Sequence, residues 1–167
     1  VRACKSGARS QATPLPHQGY GGKDTRFLAD VFETEYRACP ADIVLLHSGH
    51  NRSIEQKPVA DIVNHTRRII ETARRINPDV IILVAQVIPA GKLPKYSYIP
   101  DLNRELESLV STLNASNSGN HPLMLVNQAE GFDWKTDTVD DRVHPNTRGA
   151  SKMADRWFDA LVTILSR

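Results

Sequence analysis

Three short apolar runs separated by helical patterns constrain this chain more than any other feature. "ADIVLLH" (41–47), "DVIILVAQVI" (79–88) and "PLMLVNQ" (122–128) are each flanked by turn or polar residues, as buried parallel strands are. Between and around them, apolar residues recur at helical spacing. Asp24 to Arg37 carries Phe27, Leu28, Val31 and Phe32, and Val59 to Asn77 carries Ile62, Val63, Ile69, Ile70, Ala73 and Ile76. Asp101 to Leu113 carries Leu102, Leu106, Leu109 and Val110. A last helix is expected from Thr147 to Leu165, with Met153, Trp157, Leu161, Ile164 and Leu165 available to pack inward.

Strand and helix therefore alternate, and the expected fold is α/β: a three-layer α/β/α sandwich on a mainly parallel, flavodoxin-like sheet. Parallel strands place functional loops at their carboxyl ends. At 167 residues the chain is expected to form one domain, 1–167, with no internal repeat and no low-complexity tract. Its net charge is +2 and its basic residues are scattered, the densest group being Arg67, Arg68, Arg74 and Arg75 on one helix. That pattern reads as a solvated helix face, so no nucleic-acid partner is expected. No run approaches the roughly 18 apolar residues that span a membrane. The chain opens on "VRACKSGARS" rather than Met, which reads as a missing beginning; the compartment stays open, with secretion compatible with a removed leader. Cys4 and Cys39 lack metal-ligand spacing and leave room for one bridge. Asn64 and Asn114 head glycosylation sequons.

The chemistry-bearing residues fall at strand ends. In "VDDRVHPNTRG", Asp141 precedes His144 by three residues, and a carboxylate that holds one imidazole nitrogen leaves the other free to accept a proton. Asp140 competes for the same histidine, and a chance Asp-x-x-His on a surface loop is commoner than a catalytic one. In "HSGHNRS", Gly49 permits a tight turn and Asn51 offers a side-chain amide; such a donor to an oxyanion is worth about 3–4 kcal/mol, against the plain alternative of an Asx-turn. In "HQGYGGKDT", Gly21 and Gly22 enter a helix, where backbone N–H groups can also face an oxyanion, although a Gly-Gly pair is more often only a turn. Six histidines are present without H-E-x-x-H or clustered Cys/His spacing, so no metal and no cofactor are expected, and exhaustive chelation should leave activity intact.

In this order and at these strand ends, "GYGG", "GHN" and "DRVHPN" resemble the SGNH/GDSL hydrolase superfamily over essentially the whole chain. "HQGYGG" and "GFDWKTDTVDDRVHPNTRGASKMADRW" look most like its carbohydrate acetylesterases, including acetylxylan esterases. The resemblance implies His144 as base, Asp141 as its orienting carboxylate, and Gly22 and Asn51 as the oxyanion hole. Arg52 departs from the Asp that usually follows this Asn, which touches the geometry of the turn more than the reaction.

A larger departure is the family's first block, Gly-Asp-Ser on the turn after the first strand, which should precede "GYGG" and does not occur here. "VRACKSGARSQATPLP" looks like the family's second strand and its exit loop. Ser48 adjoins a strand rather than an elbow, and Ser6 and Ser10 fall in the expected second strand, so no nucleophile is assigned. In the family the first strand lies between the second and third; without it, unpaired backbone groups would cost about 1–3 kcal/mol each. A partner is therefore expected to complete the sheet: an N-terminal fragment, a segment of a second copy, or a rearranged sheet.

Three functions follow from the resemblance. The first is a serine esterase that removes acetyl or short acyl groups from carbohydrate esters, its nucleophile outside this chain. The second is a catalytically inactive SGNH-like domain that binds a glycan or a protein. The third, a lipid or thioester hydrolase, lacks an apolar lid in its support.

Overall fold

The computed structural model describes residues 17, 19–51, 58–116 and 123–166. The expected second strand with Cys4, Ser6 and Ser10, and also Arg52 and His121, lie outside them.

The elements run α1 (Thr25–Ala38), β1 (Ile43–Leu46), α2 (Pro58–Ile76), β2 (Ile81–Ala85), α3 (Ile99–Ala115), β3 (Met124–Val126), α4 (Trp134–Asp137) and α5 (Thr147–Leu165). The strands form one parallel sheet in the order β1-β2-β3. Ile43 pairs with Ile81 and Leu83 with Met124, so α2 and α3 are the crossovers that parallel pairing requires. This is the α/β arrangement expected from the alternating pattern.

Ile82 and Val84 of β2 join Tyr36 of α1, Ile62, Ile70 and Ala73 of α2, and Leu102, Leu106 and Leu109 of α3 in one apolar core. Side chains alternate along a strand, so Leu83 and Ala85 face the other way, and they too are buried. α1 packs on α2 and α2 on α3, while α5 packs on β3 and α4.

The strands are shorter than the apolar runs. Beyond Ala85 the ladder gives way to a side chain: Asn103 accepts from the Val87 N–H at 2.7 Å and donates to its carbonyl at 2.9 Å. α3 begins at Ile99, two residues before its first expected residue, because Pro100 is tolerated where an N–H would lack a helical partner anyway. Asn114 uses both ends of its amide on the Leu123 backbone, so that sequon asparagine is a structural clamp between α3 and β3. Cys39 is disulfide-bonded.

Two expectations about burial are corrected. β1 is not buried on both faces, for Leu45 is 44% exposed. In α5 only Gly149 is buried; Leu165 is 70% and Phe158 66% exposed, with Val162 also exposed, so Leu165 does not pack inward. Met153, Trp157, Leu161 and Ile164 are half-buried. Among the described residues no helix is long and apolar enough to cross a membrane.

Candidate active site

Two loops that follow strands, after β1 and after β3, and the entry of α1 carry the expected residues. The loop before α5 builds its carboxylate–imidazole pair locally. Asp141 Oδ1 accepts from the backbone N–H of Val143 at 2.8 Å and of His144 at 2.9 Å. Its Oδ2 takes the hydrogen bond from His144 Nδ1. One carboxylate thus shapes the turn and fixes the ring, and Nδ1–H as donor leaves Nε2 as the open acceptor. These hydrogen bonds, first that from His144 and then those from the backbone, hold the Asp141 carboxyl below the usual carboxylate range. The His144 side chain is 79% exposed, so the open nitrogen faces solvent. Of the two candidate carboxylates, Asp141 makes the contact.

The loop is braced from below. Its ends are tied by an antiparallel bridge between Thr138 and Pro145, and Val139 N–H donates to the His144 carbonyl at 2.9 Å. Arg142 sits at φ 59°, a conformation that costs a non-glycine residue, and its carbonyl is held by the Gly91 N–H at 2.7 Å. Asn146 caps α5 by accepting from Gly149 N–H.

Asp137 underlies the whole segment and was not among the expected site residues. It is fully buried; its Oδ2 accepts from Lys152 Nζ and from the Asp133 N–H, both at 2.7 Å, and Arg148 Nε lies 3.2 Å from Oδ1. The Lys152 bond, foremost, keeps its carboxyl low. A carboxylate four residues after the Asp133 cap and ahead of a basic helix entry was the available signal.

At the entry of α1, Tyr20 to Lys23 form a turn closed by Lys23 N–H to the Tyr20 carbonyl at 3.3 Å. Gly22 stands third in it with φ 74°, where glycine carries no steric penalty. Asp24 then caps the helix through Phe27 N–H at 2.9 Å. Asn51 Nδ2 donates to the Lys23 carbonyl at 3.2 Å, which brings Asn51 beside the Gly22 turn and, among the described residues, leaves its second amide hydrogen uncommitted.

The "HSGHN" stretch that delivers Asn51 is tightly held. A Cβ on Gly49, at φ 143°, would lie 2.9 Å from both Leu102 Cδ2 and Val87 Cγ2. Tyr98 Oη lies 2.6 Å from the Gly49 carbonyl and 3.1 Å from that of His50. His50 Nε2 lies 2.9 Å from the Ile88 carbonyl and must donate to it, since a carbonyl only accepts. Burial, with the nearby His144 as a smaller cause, pushes the His50 pKa down. Ser48 Oγ is engaged with Thr25 Oγ1 at 2.7 Å, a structural role. Among the described residues no three His, Cys, Asp or Glu side chains gather as a metal site would.

The parallel α/β sheet, with an Asp-held histidine on the loop before α5, a glycine turn at the entry of α1 and an asparagine at the exit of β1, is of the SGNH hydrolase type in its architecture. The GDSL-like lipase/acylhydrolase family model matches residues 5–152, and the chain belongs to that family. No curated protein matches it in sequence. Among solved structures it is similar to an acetyl esterase mutant with an acetate ion, at 21% identity and a TM-score of 0.81, over 95% of this chain and 76% of that one. It is similar in the same proportions, with a TM-score of 0.80, to a carbohydrate esterase family 3 protein from Talaromyces cellulolyticus. A Clostridium thermocellum family 3 carbohydrate esterase matches at 21% identity and a TM-score of 0.71, over 90% of this chain and 70% of that one.

Proposed function

We propose that this chain carries the base and oxyanion half of a serine esterase that removes acetyl or short acyl groups from carbohydrate esters. The observation that carries the reading is the hydrogen bond from His144 Nδ1 to Asp141, which leaves an exposed Nε2 as proton acceptor. Membership of the acylhydrolase family supports ester hydrolysis, and the acetyl and carbohydrate esterase names of the similar structures support the acyl group and the carrier.

In this reading a serine hydroxyl attacks the acyl carbon and its proton passes to His144 Nε2. The tetrahedral oxyanion accepts from Gly22 N–H and from the uncommitted Asn51 amide hydrogen. Collapse expels the sugar oxygen, which takes the proton back from His144. Water then attacks the acyl-serine, gives its proton to the same nitrogen, and releases the carboxylic acid while serine recovers its hydrogen.

The serine belongs, on this proposal, to a Gly-Asp-Ser segment outside these 167 residues, since that block does not occur among them. Exposed Leu45 on β1 and Phe158, Val162 and Leu165 on α5 supply apolar surface for such a segment to cover. A second reading, a nucleophile-free domain that binds a glycan or a protein, is favoured by the same missing block. Native mass spectrometry run beside acetate release from an acetylated xylooligosaccharide separates the two. A co-purifying serine-bearing segment, with turnover lost in His144→Ala, supports the esterase. A 167-residue species that binds the sugar and still releases no acetate when a Gly-Asp-Ser-bearing segment is supplied supports the binding domain and overturns the first reading.

A further inference from the structure

A second surface adjoins the dyad and is not used by the acyl chemistry. An open cleft of about 460 Å³ is lined by Trp134, Lys135, Thr138, Val139, Asp140 and Arg142. It shares the dyad's own loop: Asp140 and Arg142 flank Asp141, and Val139 N–H holds the His144 carbonyl. Trp134 is half-buried and its position is fixed, because Gly91 lies against the ring; a Cβ there would be 2.2 Å from Cε3 and 2.5 Å from Cζ3. The same Gly91 holds the Arg142 backbone through its carbonyl, so one residue seats both the ring and the turn that carries the arginine.

The charge in this cleft is unbalanced. The Arg142 guanidinium lies 5.9 Å and the Lys135 ammonium 5.7 Å from the Trp134 ring centroid, and among the described residues neither makes an ion pair. Asp140 is the single carboxylate in the lining. An aromatic plate with an unpaired guanidinium over it suits a ligand with an apolar C–H face and a planar anion: the ring packs on indole and the carboxylate meets the guanidinium fork.

We infer that this cleft is a subsite for an acidic sugar, a uronosyl unit next to the acylated residue, with Trp134 as platform and Arg142 as carboxylate clamp. The inference rests on the carbohydrate reading of the substrate and adds its charge. Lys135 contributes a second, looser attraction at the rim, and Thr138 steadies the platform by donating its hydroxyl to the Trp134 carbonyl at 2.6 Å.

The test reads binding and so does not need turnover. The indole N–H signal of Trp134 is followed by two-dimensional NMR during titration with cellobiouronic acid and with cellobiose, Trp157 serving as internal control. The acidic disaccharide is expected to bind about tenfold more tightly at low salt, with the gap narrowing as salt is raised. Arg142→Gly should erase the preference while leaving the fold intact, since glycine suits a positive φ. Trp134→Phe, followed instead through the backbone amide signals of Thr138 and Arg142, should weaken both sugars alike. Equal binding of the two sugars, binding of neither, or a preference retained in Arg142→Gly overturns the inference. Acetate release from a neutral ester without any such preference removes this subsite alone, whereas preference without acetate release in material completed by a Gly-Asp-Ser-bearing segment leaves the subsite and removes the esterase reading.

Discussion

Acidification should destabilise this fold well before its carboxylates titrate, because of two histidines at the end of β1. Among the described residues His47 Nε2 is buried without a hydrogen-bond partner, and burial pushes the imidazole pKa from 6.5 down to about 4, with the neighbouring His50 as a lesser cause. As pH falls through 6.5 the unfolded chain takes up a proton that the folded one refuses. The stability due to keeping His47 neutral is thus complete above 6.5 and is lost progressively down to about 4. At about 1.4 kcal/mol per unit, the loss from this one residue reaches about 2 kcal/mol at pH 5 and about 3 kcal/mol at pH 4. His50, depressed in the same direction, adds to it. Urea unfolding at pH 7, 6 and 5 measures the slope, and His47→Asn removes the His47 share. The variant should therefore lose about 2 kcal/mol less than the parent between pH 7 and pH 5. Parallel pH profiles for parent and variant would show that His47 takes its proton inside the fold, and the burial argument would fail.

In acetate-releasing material, Asp141→Asn should lower kcat by about 10⁴-fold, as loss of the orienting carboxylate does in other triads, with secondary structure unchanged by circular dichroism. Gly49→Ala should cost about 2 kcal/mol in denaturant melts, since the methyl would overlap Leu102 and Val87 at a φ that alanine avoids. Asp137→Ala should cost about 3 kcal/mol, because it strands Lys152 and Arg148 against a buried site. The folded-state pKa of Asp137 is lowered, so its contribution holds above the unfolded carboxylate range and fades as pH drops through the folded value; the deficit should shrink in strong acid.

The sheet was legible because β2 and its neighbours are apolar runs bounded by polar residues, a pattern that buried parallel strands need. Strand ends were less so, since Asn103 ends the β2 ladder from a helix eighteen residues after Ala85, and no local pattern announces that bond. The Asp141–His144 contact was readable from spacing because a four-residue stretch contains both partners. Asp137 escaped because its role depends on α5 arriving above it with Lys152. The exposure of Leu165 escaped for the converse reason: helical periodicity says which side of α5 is apolar, and packing decides whether anything meets it.

The two halves of the site differ in what holds them. The dyad is closed within one loop, its carboxylate shared between two backbone N–H groups and one ring nitrogen, so its geometry depends chiefly on Asp137 and Gly91 beneath it. The candidate donors Gly22 and Asn51 come from the entry of α1 and the exit of β1, segments joined by the 3.2 Å hydrogen bond from Asn51 to Lys23 and the 2.7 Å one between Ser48 and Thr25. A base assembled locally survives rearrangement of its neighbours, whereas an oxyanion hole assembled from distant segments does not. A segment that covers Leu45 and the apolar side of α5 would bear on β1, the strand that delivers Asn51, and so would tighten the donors while leaving the dyad unaltered. Catalysis on this scaffold is therefore expected to respond to completion of the sheet through transition-state stabilisation, in kcat, rather than through proton transfer by His144.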